Sequence, residues 1–139
     1  MSDRKQWLTL AFLAALAAGP VFADTEITKD VVMSHLQGVG QFDVGAAVAP
    51  YADDATLILA DKVYHGSDEI RGFFKTFFAE FSQADVSMET EALVFEGNTA
   101  LTTWNAESPN NVYEFGADTF VVQDGKIVTH TMAARITPK

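Results

Sequence analysis

The chain has 139 residues, no cysteine, and 19 acidic against 9 basic side chains, for a net charge of −10. That length holds one domain at most, the missing thiols rule out disulfides and thiolate metal sites, and the charge argues against nucleic acid or anionic membranes as partners. Met1 to Lys5 make a basic start, and Trp7 to Ala18 is an apolar run with the length of a signal h-region, too short to span a bilayer. Gly19-Pro20 breaks that run, and Val21-Phe22-Ala23 places small residues where a signal peptidase needs them. Residues 1–23 therefore read as a leader cleaved after Ala23. The mature chain, Asp24 to Lys139, is expected to be periplasmic or secreted, with no membrane contact in that form.

Ile27, Val31, Val32, His35 and Leu36 fit one helical face, with Thr28 as a candidate cap and Gly38-Val39-Gly40 as an interruption. Asp43 can cap a second helical piece that runs to Val48 and stops at Pro50. Together these form a bent N-terminal helical arm. Ala55 to Leu59 reads as a short strand and Lys62 to Tyr64 as another. Ser67 is then a good N-cap, with Asp68 and Glu69 placing negative charge at a positive helix end. Ile70, Phe73, Phe74, Phe77, Phe78 and Phe81 follow at helical spacing, leaving Arg71, Lys75 and Glu80 off the stripe. A helix so one-sided must cover a wide apolar surface.

From Asp85 the period becomes alternating. Strands are expected over Val86 to Phe95, Ala100 to Glu107, Val112 to Val122 and Ile127 to Ile136. Glu96-Gly97-Asn98, Ser108-Pro109-Asn110-Asn111 and Gln123-Asp124-Gly125 form the turns between them. Helices first and an antiparallel meander later make an α+β domain, a sheet packed on a long aromatic-faced helix.

The order of these parts resembles the nuclear transport factor 2-like superfamily, which includes ketosteroid isomerase and the SnoaL-like cyclases. The resemblance is carried by Tyr51-Ala52-Asp53-Asp54-Ala55-Thr56, by His65-Gly66 before a helix, and by Asp118-Thr119-Phe120-Val121-Val122-Gln123-Asp124-Gly125-Lys126-Ile127. It covers essentially the whole mature chain. It implies a cone-shaped roll, in which a curved sheet wraps the helix and leaves an apolar pocket at the open end, and often a homodimer through the outer sheet face. Carried over position by position, the isomerase pattern puts its hydroxyl donor at His35, its general base at Leu59 and its oxyanion-binding acid at Asp118. The base is therefore missing. Asp61, two residues on with the same strand parity, is a substitute only if the turn around it allows.

Asp118 stands in an otherwise apolar alternation with Phe120 and Val122, and a carboxylate on a core-facing position must be paired or protonated. The final hairpin decides its neighbours. A three-residue Gln123-Asp124-Gly125 loop puts Asp118 and His130 on one face, with Val128, Met132, Ala134 and Ile136 beside Phe120 and Val122. A two-residue Asp124-Gly125 turn shifts the register and puts them on opposite faces. The three-residue loop gives the more coherent core. His35, Asp118 and His130 then become a polar constellation in an aromatic cone, suited to acid–base work. Against this stands the plainer reading of each histidine as a core residue satisfied by backbone. His65 reads as support for its turn.

The expected ligand contacts are Tyr51, Leu59, Phe74, Phe78, Trp104, Asp118, His130 and Met132, with His35 and Asp118 catalytic if the protein is an enzyme. No His-x-His spacing, nucleophile elbow or phosphate-cradling loop occurs, so neither metal nor cofactor is expected. Three functions stay open. One is a domain binding a small, largely apolar molecule. The second is an isomerase, dehydratase or cyclase. The third is an interaction module using the outer sheet face.

Overall fold

The structure, a computed structural model, describes residues 20–139, and the side chains of residues 24–139. The leader expected over residues 1–23 lies outside the described residues except for the backbone of its last four. Helix α1 spans Pro20–Gly40, α2 Val44–Val48 and α3 Gly66–Phe81. The strands are β1 Tyr51–Ile58, β2 Val63–His65, β3 Ser87–Glu96, β4 Thr99–Glu107, β5 Asn111–Gln123 and β6 Lys126–Pro138. They form one sheet in the order β2-β1-β6-β5-β4-β3. Every pairing is antiparallel except β1 with β6, which is parallel. The expected α+β class and the β3–β6 meander are what the chain forms. The sheet is curved, and each β-bulge along it bends and twists it further.

Local chemistry explains most boundaries, with two corrections at helix starts. Thr28 is not a cap. It lies inside α1, fully buried, and its hydroxyl donates to the Gly97 carbonyl at 2.9 Å, tying the helix to the β3–β4 turn. Ser67 is also one residue inside its helix. The N-cap of α3 is His65, and the helix start is closed by Glu69 Oε2, which accepts from the His65 amide at 2.8 Å. Gly66 opens the helix at φ +81°, a conformation in which a β-carbon would be strained. Asp43 caps α2 as expected, accepting from the Ala46 amide at 2.9 Å.

Gly38-Val39-Gly40 does not interrupt α1, which runs through Gly40. Gly38 serves a different purpose. A β-carbon there would sit 2.3 Å from the Ala47 nitrogen, so glycine lets α2 press against α1.

On α3 the buried residues are Ile70, Phe74, Phe78 and Phe81, which face the sheet. Phe73 and Phe77 are half-buried and border the open end. Glu80, off the aromatic stripe, clamps the β4–β5 loop. Its carboxylate accepts from the Ser108 hydroxyl, the Asn111 amide and the Tyr113 hydroxyl. Burial alone would raise the Glu80 pKa, but those hydrogen bonds hold it below its ordinary 4.5. A carboxylate lowered on folding stabilises above its unfolded pKa, and that contribution is lost as pH falls through its folded value. The melting temperature should therefore drop as pH falls below about 4.5, and Glu80→Gln should flatten that part of the curve. Thermal melts of the two proteins between pH 5 and 3 are the check.

The final hairpin corrects one expectation and keeps its consequence. The turn has two residues, since Gln123 pairs with Lys126, and Asp124 and Gly125 have φ +50° and +73°. This is the primed geometry that matches strand twist. Such a turn alone would separate Asp118 from His130. A bulge intervenes, because Val122 pairs with Ile127 but Val121 pairs with Thr129. Val128 is the extra residue and does not join the core face; Ile127 does, fully buried. Beyond the bulge Phe120 faces His130 and Asp118 faces Met132, so all four share the inner face. Ile136, expected in the core, is 49% exposed near the open end, and Ala134 is exposed too.

Candidate functional site

Three layers enclose a cavity of about 250 Å3. The sheet supplies Thr102, Trp104, Asp118 and Met132, α1 supplies His35, Leu36 and Val39, and α3 supplies Phe74 and Phe77. Val86, Ser87, Met88 and Thr90 of the β3 segment form one rim. The buried polar groups on this mostly apolar wall are few, and each owes its position to a specific contact.

Asp118 is 6% exposed and is gripped by its cross-strand neighbours. Trp104 Nε1 donates to Asp118 Oδ1 at 3.2 Å. The indole reaches that position because it lies across Gly116, where a β-carbon would come within 2.2 Å of the ring. Behind the other oxygen, His130 Nε2 lies 3.5 Å from Asp118 Oδ2 and has no closer polar partner among the described residues. The opposite nitrogen, Nδ1, meets the Tyr51 hydroxyl at 2.7 Å. His130 is fully buried and stacks on Phe120 with 4.3 Å between ring centres. Burial first, and the Asp118 charge second, push the Tyr51 hydroxyl well above its ordinary 10, so it stays protonated.

The protons in this chain follow from counting partners. Tyr51 has His130 as its hydrogen-bond partner, so if it accepted, its own buried proton would be stranded, at a cost of about 1–3 kcal/mol. Tyr51 therefore donates to Nδ1. The ring proton of His130 is then on Nε2, which lies 3.5 Å from Asp118 Oδ2 without forming a hydrogen bond to it.

His35 sits on the opposite wall. Its Nδ1 lies 2.7 Å from the Ala47 carbonyl, which can only accept, so Nδ1 holds the proton. The close approach of α2 at Gly38 brings that carbonyl within reach. Burial, and then the nearby His130, lower the His35 pKa to about 3 against the opposing pull of the Ala47 bond. The ring is neutral, with a bare Nε2. It packs edge-on against Tyr51, Phe74 and His130.

Of the residues expected at the site, His35, Phe74, Trp104, Asp118 and Met132 line this cavity together. Tyr51 and His130 stand behind the wall, as the buried support of Asp118, and Phe78 belongs to the core. Leu59 and Asp61 line a separate apolar cavity of about 210 Å3, which shares Phe77, Trp104 and Met132 with the first. His35 and Asp118 make no hydrogen bond with each other. Among the described residues no group of three or more histidine and carboxylate side chains is arranged to hold a metal ion.

Sequence reasoning missed Thr102, which is directly opposite Asp118 in the β4–β5 register and was findable from it. It also missed the pairing of Tyr51 with His130, for which the sequence carries no local signal.

The SnoaL-like domain model matches residues 32–130. A search of curated protein sequences returned no match. Among solved structures, the chain is similar to the epoxide hydrolase/cyclase-like enzyme SalBIII of pyran ring formation in the polyether salinomycin. The identity is 21%, covering 84% of this chain and 98% of that one, with a TM-score of 0.69. It is similar to an LEH-like epoxide hydrolase of M. tuberculosis at 15% identity, covering 80% and 84%, with a TM-score of 0.63. An NTF2-like protein of unknown function from Mesorhizobium loti matches at 17%, covering 80% and 93%, with a TM-score of 0.68. At these identities the likeness is one of fold. With the family model spanning most of the chain and the curved sheet matching the fold, this chain belongs to the SnoaL-like domain family.

Proposed function

We propose that this domain binds a small, largely apolar molecule in the cavity between α1, α3 and the sheet, with the Asp118 carboxylate engaging that molecule's polar group. One observation carries the reading. An open cavity of about 250 Å3, walled mainly by apolar side chains, holds a single carboxylate that is hydrogen-bonded by Trp104 and has His130 Nε2 3.5 Å behind it. A few polar groups on an apolar concave wall is the general form of a small-molecule site. The volume falls below the roughly 300 Å3 at which drug-sized pockets begin, so the ligand is compact. In this reading the protein is exported by its leader and works outside the cytoplasm.

The test is a thermal-shift screen of the mature domain against compact hydroxylated, carbonyl and amino compounds, run beside Asp118→Asn and the cavity-filling Val39→Phe. Binders should raise the wild-type melting temperature, and both variants should lose most of that shift. Stabilisation that is equal in all three proteins would sink the proposal.

The Tyr51–His130–Asp118 chain favours a second reading, an isomerase, dehydratase or cyclase. A carboxylate with an imidazole nitrogen close behind it can take a proton from a bound molecule. The similarity in fold to an enzyme described as epoxide hydrolase/cyclase-like is consistent with it. Here Asp118 is the base, and His35, with its low basicity, is a positioning acceptor more than a second base. Turnover of any stabilising compound, lost in Asp118→Asn, separates an enzyme from a binding domain. The outer sheet face, where Val94, Leu101 and Phe115 are exposed, is where this reading places a homodimer. Sedimentation equilibrium should then give twice the chain mass, and Leu101→Lys should return the monomer.

A further inference from the structure

The fixed polar groups on the cavity wall have one property in common. Each is tied to a partner that leaves an acceptor, and no proton, for the cavity. His35 gives its Nδ1 proton to the Ala47 carbonyl at 2.7 Å, which leaves the bare Nε2 for any ligand. Asp118 receives the Trp104 N–H at 3.2 Å, and His130 Nε2 lies 3.5 Å from its other oxygen, so its remaining lone pairs are acceptors. Thr102, buried in the wall, donates its hydroxyl proton to the Ala92 carbonyl at 3.1 Å. Ser87 and Thr90 have free hydroxyls, but they stand exposed at the rim.

We infer that the cavity selects molecules that donate hydrogen bonds: a compact apolar frame carrying a hydroxyl or amino group, in preference to a ketone or other acceptor-only group on the same frame. The inference rests on the binding function proposed above and names its ligand class. A carbonyl oxygen entering between His35 Nε2 and the Asp118 carboxylate would meet acceptors on both sides and lose its hydration without replacement. A hydroxyl gives its proton to either, and an ammonium satisfies both while neutralising the carboxylate. The low pKa of His35 supports the same polarity, since an imidazolium would otherwise supply a donor. An oxyanion developing at this place would be repelled. The polarity expected from the isomerase pattern, donors at positions 35 and 118, is thus reversed.

Matched probes test this. The alcohol, amine and ketone 1-tetralol, 1-aminotetralin and 1-tetralone share one frame, and cyclohexanol, cyclohexylamine and cyclohexanone share a smaller one. Dissociation constants at pH 7 would be measured by NMR titration on the wild type and on Asp118→Asn. The alcohols and amines should bind about tenfold or more tightly than the ketones in the wild type, as one hydrogen bond to a charged acceptor implies. The gap should close in Asp118→Asn, whose amide adds a donor. An amine well ahead of the alcohol assigns the preference to charge, and equal affinities assign it to the hydrogen bond; both support the inference. Ketones that bind as tightly as alcohols, with affinity still lost in Asp118→Asn, overturn the inference and leave the binding function standing. Failure of every probe to bind, or indifference to Asp118→Asn, overturns both. Should Asp118→Asn not fold, the wild-type ratio decides, together with the His35 tautomer from long-range 15N–1H correlation. The proton is expected on Nδ1, and finding it on Nε2 overturns the inference.

Discussion

Acidification should destabilise this protein steeply through His35, beginning above the pH at which carboxylates titrate. The residue is 1% exposed, and its pKa falls from 6.5 to about 3 on folding, mainly because burial penalises the charged ring. Below pH 6.5 the unfolded chain binds a proton that the folded chain refuses. The stabilisation is therefore complete above pH 6.5 and is lost as pH falls towards 3. Each pH unit in that window removes about 1.4 kcal/mol, and the full shift on the order of 5 kcal/mol. Domains are commonly stable by only about 5–15 kcal/mol, so this one group can bring the protein close to unfolding. Urea unfolding at pH 7, 6, 5 and 4 measures it directly. His35→Gln should start from lower stability but follow a flatter pH curve over that range. Parallel curves for the two proteins would show that His35 is protonated in the folded state or lies in contact with water.

The second large effect is expected at His130. Phenylalanine there keeps the shape and the stacking on Phe120 but removes the ring nitrogens. The Tyr51 hydroxyl, on a residue 3% exposed, loses its acceptor, and Asp118 loses the ring nitrogen 3.5 Å from its Oδ2. An orphaned buried polar group costs about 1–3 kcal/mol, so His130→Phe should cost about that much through Tyr51. Adding Tyr51→Phe removes one orphan. The double variant should therefore be more stable than His130→Phe alone by about 1–2 kcal/mol, a sign that additive effects cannot give. Ligand affinity should fall in both, because Trp104 is then the one polar group left against Asp118 on that side among the described residues. Chemical denaturation of the four proteins of this cycle, with m-values checked for constancy, is the measurement. A double variant that is less stable than either single one would mean Tyr51 has another partner.

How much of this was legible depended on how local the physics was. The aromatic helix could be read because burial of one face imposes its own spacing on Ile70, Phe74, Phe78 and Phe81. Asp43 could be read as a cap because the cap bond spans three residues. Asp118 stood out because a carboxylate interrupts an apolar alternation. Asp118 and His130 share a face for a different reason from the one the sequence suggests. A bulge at Val128, which nothing in the sequence marks, does what a three-residue loop was expected to do. Ser67 failed as a cap because Gly66, at positive φ, starts the helix one residue earlier and Glu69 closes it from within.

The rest of the site depends on contacts remote in sequence. Tyr51 meets His130 across 79 residues only because β1 joins β6 in parallel. Trp104 reaches Asp118 only because Gly116 leaves room on the neighbouring strand. The state of His35, on which the ligand class turns, is set by a carbonyl on another helix.

The most direct test of ligand binding at the Asp118 cavity uses the methionines as reporters. Met88 and Met132 line the cavity, whereas Met33 is 45% exposed on α1 and does not. With 13C-methyl methionine, 1-tetralol should shift the Met88 and Met132 methyl signals in a saturable way and leave Met33 unmoved. Asp118→Asn should weaken that titration. If no methionine moves at millimolar 1-tetralol, or Met33 moves and the cavity pair does not, the cavity is not the ligand site and the account is wrong.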